Sequence, residues 1–192
     1  MMGSVAVDKR FPEVSNGDVR LTDFTVDHLT EGYISWLNDP EVVRYSEQRH
    51  KTHTFDSCET HLHEKVFSDD HFLAIEVGGH GPDHHVGNMG ISVDLKNSVA
   101  DLSIMVGAKG YWGTGVGSRA WCLAIHTLFE RLDFRLITAG TMSVNKPMQK
   151  LFKRSNMQID AVLPERFLWE GELVDLVVAS ISSGHHRSRQ GE

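Results

Sequence analysis

Apolar positions along this chain change their period partway through, and the change separates helices from strands. Residues 19–24 alternate briefly and predict a strand. In TVDHLTEGYISWLNDPEVVRY, Leu29, Tyr33, Trp36 and Leu37 recur at helical spacing, and Pro40 ends that helix. A short second turn is expected over 41–45. The polar run SEQRHKTHT reads as a loop, after which Thr54 caps a helix with Cys58, Leu62 and Val66 on its inner face.

From residue 71 strands dominate. HFLAIEV (71–77), HVGNMGISVDL (85–95) and VADLSIMVG (99–107) predict three of them, the last two joined by a tight turn at Lys96, Asn97 and Ser98. A glycine-rich segment leads into a long helix over 115–131, with Val116, Ala120, Leu123, Thr127 and Leu128 facing inward. A strand over 135–144, a helix over 146–155 with Pro147 at its start, and strands over 159–169 and 172–182 about a Glu170-Gly171 turn complete the pattern. Adjacent strands joined by hairpins, with helices inserted, define an α+β fold rather than a doubly wound parallel one. The expected sheet is mixed and largely antiparallel, with six to seven strands flanked by helices. Residues 1–18 and 183–192 read as loose tails around a single domain, 19–182.

Composition narrows the function. The 192 residues include 19 Lys and Arg against 26 Asp and Glu, a net charge of −7. Phosphate backbones are held by basic residues, so a nucleic-acid partner is not expected. No apolar run reaches 18 residues, so no membrane span is expected. The polar start lacks the apolar stretch of a secretory leader, and two unpaired cysteines, Cys58 and Cys122, suit a reducing compartment; a cytoplasmic location is expected.

The informative stretch is LSIMVGAKGYWGTGVGSRAW (102–121), where Gly107, Gly110, Gly113, Gly115 and Gly117 lie between a strand and a helix. Glycines let backbone N–H groups converge on an anion, and a helix N-terminus adds unpaired N–H groups and a positive dipole end. A P-loop requires Lys-Ser or Lys-Thr after its glycines, and none follows. A dinucleotide fingerprint requires GxGxxG after the first strand of a βαβ unit; here the spacing is wrong and hairpins precede it.

These residues resemble the GNAT acyl-CoA N-acyltransferases, whose signature is a strand, [Q/R]xxGx[G/A] and a helix. Gly110-Tyr-Trp-Gly113-Thr-Gly115 matches both glycine positions, with Gly110 at the Gln/Arg position. The YWGTG phrase, Asn145 with Leu151-Phe152 downstream, HVGNMGI, WLNDPEVVRY and LWEGELVDLVVASI are similar to the branch of amino-sugar and ribosomal-protein N-terminal acetyltransferases. The resemblance covers 18–182 and implies the GNAT fold with acetyl-CoA as acetyl donor and no metal. The cofactor would lie between the strands at 99–107 and 135–144. Its pantetheine would pair with Met105, Val106 and Gly107, and its pyrophosphate would rest on the N–H groups of Trp112, Gly113, Thr114, Gly115, Val116, Gly117 and Ser118. Asn145 would bond the thiol-end amides.

Transfer to an amine requires a base, a polarised thioester carbonyl and a proton for the leaving thiolate. The backbone N–H of Val106 suits the carbonyl. The resemblance puts a carboxylate base on the strand before the glycine turn, where Asp101 stands, on one face with Ser103 and Met105. Glu47 and His50 are rivals, in a loop that walls the acceptor site in such enzymes. Phe152 stands where the family often has an acidic tyrosine; it reads as packing beside the cofactor, leaving water, Ser155 or Tyr111 as proton source. Lys146, Lys150 and Lys153 read as a solvated helix face. The paired histidines 61/63, 84/85 and 185/186 do not converge as a metal site requires and read as solvated. Trp36, Trp121 and Trp169 read as core or rim, and Trp112 as a cover on the cofactor.

The implied reaction is direct attack by a primary amine in a ternary complex. A small-molecule acceptor such as an amino-sugar nucleotide is preferred to a protein N-terminus, and a non-catalytic acyl-CoA-binding module is the reading from another class. The oligomeric state stays open, a homodimer included.

Overall fold

Eight strands form one sheet in the order β1-β2-β3-β4-β5-β6-β8-β7. The computed structural model describes residues 11–66 and 68–190. In chain order these hold β1 (Val14–Asn16), β2 (Val19–Asp23), α1 (Glu31–Leu37), α2 (Phe55–Val66), β3 (His71–Val77), β4 (His85–Asp94), β5 (Val99–Val106), α3 (Val116–Glu130), β6 (Leu136–Met142), α4 (Lys146–Arg154), β7 (Gln158–Trp169), β8 (Glu172–Ser182) and α5 (Ser183–Gln190). Every neighbouring pair is antiparallel except β5 and β6, which are parallel over Val99–Asp101 and Leu136–Thr138.

The sheet has one strand more than expected, because part of the supposed N-terminal tail is ordered. Residues 14–16 pair with β2, while Phe11 and Val14 are buried in the main core. Three residues are too few to show alternation, and their pairing depends on a strand edge outside the segment. At the other end, residues 183–190 form α5 instead of a loose tail, with the His186 ring 5.0 Å from that of Phe129. Residues 1–10 and 191–192 of the expected tails lie outside the described residues.

Alternation along the strands divides the sheet's two faces. On one, Leu73, Ile75, Ala100, Leu102, Ile137, Ala139, Val177 and Ala179 meet α3 and α4; Trp121, Leu128, Phe129 and Phe152 fill the space between. On the other, Phe24, Leu29, Tyr33, Leu37, Cys58, Leu62 and Ala74 form a smaller core under α1 and α2, reaching Met105 at its edge. Val66 lies beyond the described side chains. Over β6, β8 and β7 this second face has no helix, and that uneven cover positions the site.

His85 corrects the reading of its pair as solvated. It opens β4 and is buried among the rings of Phe24, His28, Tyr33 and Trp36. Burial, and then the nearby His28, lower its pKa to about 4, so its ring is neutral at physiological pH. Beside it the fully buried Glu76 is bonded by His28, His80 and the Gly81 N–H, which hold its carboxyl below the usual range although burial pushes the other way.

Candidate active site

The parallel pairing of β5 with β6 stops at Asp101 and Thr138, and beyond it the two strands diverge into a V. On its other side β5 stays paired with β4 along its whole length. The Gly107 N–H donates to the Val86 carbonyl at 2.9 Å, so it is engaged on the β4 side. Antiparallel alternation then points the backbone groups of Met105 toward β4 and those of Ile104 and Val106 into the V. The Val106 carbonyl there accepts from the Trp112 indole at 2.7 Å, leaving its N–H facing the opening. Of the three residues expected to pair with pantetheine, Val106 alone directs its backbone groups into the V, and on the same side stands Ile104 rather than Met105 or Gly107. The sequence shows the strand, but its hydrogen-bonding parity follows from the register with β4.

Below the V lies the glycine turn. The N–H groups of Trp112 and Thr114 are engaged within it, by Lys109 and Tyr111 carbonyls at 3.0 and 3.4 Å. The first intrahelical bond of α3 is from the Arg119 N–H to the Gly115 carbonyl. The N–H groups of Gly113, Gly115, Val116, Gly117 and Ser118 have no protein acceptor among the described residues. Gly113 and Gly115 have φ of 76° and 89°, conformations that side chains disfavour; Gly115 is the N-cap of α3. At Gly117 a Cβ would make ordinary contact with the Val106 side chain at 3.4 Å, which places the first turn of α3 against the end of β5. Five converging N–H groups at a helix N-terminus fit a pyrophosphate. Trp112 and Tyr111 stand exposed at the rim, and Arg154 reaches the Ser118 hydroxyl at 3.3 Å.

Two residues expected at the cofactor have structural work in the fold. The Asn145 side chain caps α4, its oxygen accepting from the Met148 N–H at 3.2 Å and its amide donating to Thr141 Oγ1 at 3.0 Å. Phe152 is 1% exposed and packs on Trp121 inside the main core, so it supports α3 from within and does not line the opening. Ser155, a candidate proton donor, is buried between the Trp121 indole and the Leu151 carbonyl. Of the candidate lysines, Lys146 bonds the Ser143 carbonyl at 2.8 Å.

Asp101 lies at the apex of the V, on the face away from α3. Packing raises its carboxyl above the ordinary range, against a 2.6 Å hydrogen bond from the Thr138 hydroxyl that favours the charged form. It nonetheless keeps surface open to solvent. Glu47 and His50 form one short 3-10 turn (Glu47–His50), both exposed; Glu47 is paired with Arg49 at 2.8 Å and lies 3.8 Å from His50. They belong to the loop that runs between the end of β5 and the β7–β8 hairpin, whereas Asp101 stands on β5.

That loop, 38–53, is closed at its neck by Asn38, which donates to the His53 carbonyl at 2.8 Å and accepts from its N–H at 2.9 Å. One side is tied to the end of β5, where Lys109 pairs with Asp39 and Glu41 at 2.8 and 2.6 Å and Trp36 covers Gly107. The other is tied to the β7–β8 hairpin, Arg49 donating to the Leu168 carbonyl and the Trp169 indole to the Arg44 carbonyl at 2.9 Å. A cleft of about 430 Å³ lies between this loop and the hairpin tip, with His50 on its wall. Sequence reading passed over Asn38, Arg44, Lys109 and Trp169 as site-building residues; WLNDPEV held the signal for the first, but its partner is fifteen residues away.

Among the described residues, no three His, Cys, Asp or Glu side chains group to hold a metal ion. No helix there is long and apolar enough to cross a membrane.

Residues 18–158 match the family model described as an acetyltransferase (GNAT) domain, and the chain belongs to that family: it is an acetyl-CoA-dependent N-acetyltransferase. Solved structures share the fold at low identity. A spermidine N-acetyltransferase from Vibrio cholerae in complex with CoA and spermine superposes with a TM-score of 0.79 at 16% identity, covering 90% of this chain and 99% of that one. RimL, a ribosomal L7/L12 alpha-N-protein acetyltransferase in complex with coenzyme A, gives 0.78 at 10% identity, covering 89% and 98%. A GNAT-family acetyltransferase from Bacillus anthracis gives 0.76 at 13% identity, covering 90% and 99%. A search of curated proteins finds no match.

Proposed function

We propose that this enzyme acetylates the primary amine of a small molecule, with amino-sugar nucleotides the leading acceptor class. The observation that carries the reading is the V between β5 and β6, floored by the free N–H groups at the start of α3. Acetyl-CoA enters there with its pyrophosphate on Gly113, Gly115, Val116, Gly117 and Ser118 and its pantetheine along Ile104 and Val106. The Val106 N–H polarises the thioester carbonyl. The amine nitrogen attacks that carbon, the new N–C bond forms and the C–S bond breaks. Asp101 accepts the amine proton through one water, and the thiolate takes a proton from solvent or from Tyr111 at the rim. A cleft of about 430 Å³ at the mouth has the size of a small-molecule site, which favours such an acceptor over a protein N-terminus.

Release of free CoA from acetyl-CoA, screened against amino-sugar nucleotides, polyamines, aminoglycosides and N-terminal peptides, tests the proposal. Turnover confined to peptides would replace the acceptor class. Tight acetyl-CoA binding without turnover on any amine would leave a binding module.

A further inference from the structure

We infer that the cleft between loop 38–53 and the β7–β8 hairpin is an anion subsite, which holds a phosphate borne by the same small molecule as the reacting amine. This deepens the acceptor assignment above and rests on it. Charge is the first argument. The chain carries a net −7, yet three permanent cations, Arg44, Arg49 and Lys51, line this one cleft against a single lining carboxylate, Glu170. Arg49 is already matched, to Glu47 and to backbone carbonyls of Ser46 and Leu168. Arg44 is not: its guanidinium lies 4.7 Å from the Tyr45 ring centre and 5.8 Å from that of Trp169, with no carboxylate within salt-bridge reach among the described residues. The two rings are stacked at 5.8 Å, so the arginine is held in place by aromatic faces while its N–H fork stays available. Such a fork binds phosphate bidentately.

Placement is the second argument. The cleft opens at the wide end of the V, because the loop that roofs it runs from Lys109, just after β5, to the hairpin tip beyond β6. Polyamine acceptors, fully cationic, would be repelled there.

The test is calorimetry with CoA saturating, so that the glycine turn is filled, comparing glucosamine, glucosamine 6-phosphate, a uridine-diphosphate-linked amino sugar and spermidine. The phosphate-bearing amines should bind at least about tenfold tighter than glucosamine, as a charge-assisted pair supplies. Arg44→Gln should remove most of that preference. Lys51→Gln, a surface change that leaves the aromatic stack intact, should reduce it by about threefold. Equal binding of glucosamine and its phosphate ester, tighter binding of spermidine, or a preference that survives both substitutions in folded protein would overturn the inference. Tighter binding of an acidic peptide would overturn the small-molecule assignment. CoA release, measured on the same compounds, separates the two ideas: a phosphate preference without turnover would sink the proposed reaction and keep the subsite.

Discussion

The two sides of the V are built by different means. On the α3 side the surface is backbone: N–H groups of Gly113, Gly115 and the first turn of α3 that have no protein acceptor among the described residues. On the opposite side it is side chains, with Asn38 closing the neck of loop 38–53, Arg44 stacked on aromatic rings and Asp101 standing on β5 at the apex. A common ligand suits the first, since N–H groups read only a phosphate's charge and shape. A variable ligand suits the second, since a loop can change its charges without moving the sheet.

If this division is right, the largest effect falls on the backbone side. Gly115→Glu should lower acetyl-CoA affinity by at least about 100-fold in calorimetry. The substitution strains a residue at φ 89° and puts a carboxylate in the proposed pyrophosphate site. A carboxylate at a helix N-terminus is favourable to the helix itself, so α3 should persist and the loss should be one of binding. Unchanged affinity in the folded variant would remove the anion role of this turn.

On the other side, Asp101→Asn should lower kcat/KM by about 100-fold with acetyl-CoA affinity preserved, as loss of a general base does. The wild-type rate should fall as pH drops through a value above the usual carboxylate range, because the ionised form is the base. The variant should lack that limb and recover partly at high pH, where neutral amine is more abundant. Folding raises this pKa, so the contribution of Asp101 to stability is present at low pH and lost as pH rises through the folded-state value. At neutral pH Asp101→Asn should therefore melt slightly higher than wild type. Wild-type rates near pH 7 would make Asp101 structural.

Smaller effects sharpen the comparison. Asn38→Ala removes the clasp of loop 38–53 and should cost about 1–2 kcal/mol. It should raise the acceptor KM several-fold and leave acetyl-CoA binding intact; an equal loss on both ligands would show that the sides are coupled. Lys109→Gln breaks ion pairs to Asp39 and Glu41 at the surface and a contact over the Trp112 ring at 5.8 Å. Its melting temperature should stay within about 2 °C of wild type, with any change in acceptor KM disappearing at high salt.

Much of this was legible before the structure. Strand and helix positions from 19 to 182 follow from the periods, and the strand-to-helix glycine turn marks the cofactor side, because backbone recognition leaves its trace in contiguous residues. Other details depend on neighbours outside the apolar and polar period. Asn145, expected to bond the cofactor, also caps α4 and bonds Thr141. Phe152, expected to pack beside the cofactor, is enclosed by Trp121 and the main core. His85 looked solvated beside His84, and only the convergence of Phe24, His28, Tyr33 and Trp36 shows it buried.

The sequence by itself determined the α+β class, the family resemblance and the place of the glycine turn, because each rests on local period or on glycine's conformational freedom. The tertiary structure decided which backbone groups of β5 face the V, since that parity comes from the register with β4. It also decided that loop 38–53 and the β7–β8 hairpin, more than a hundred residues apart, share one cleft. Such contacts depend on how strands order across a sheet, and no local pattern of apolar and polar residues encodes that order.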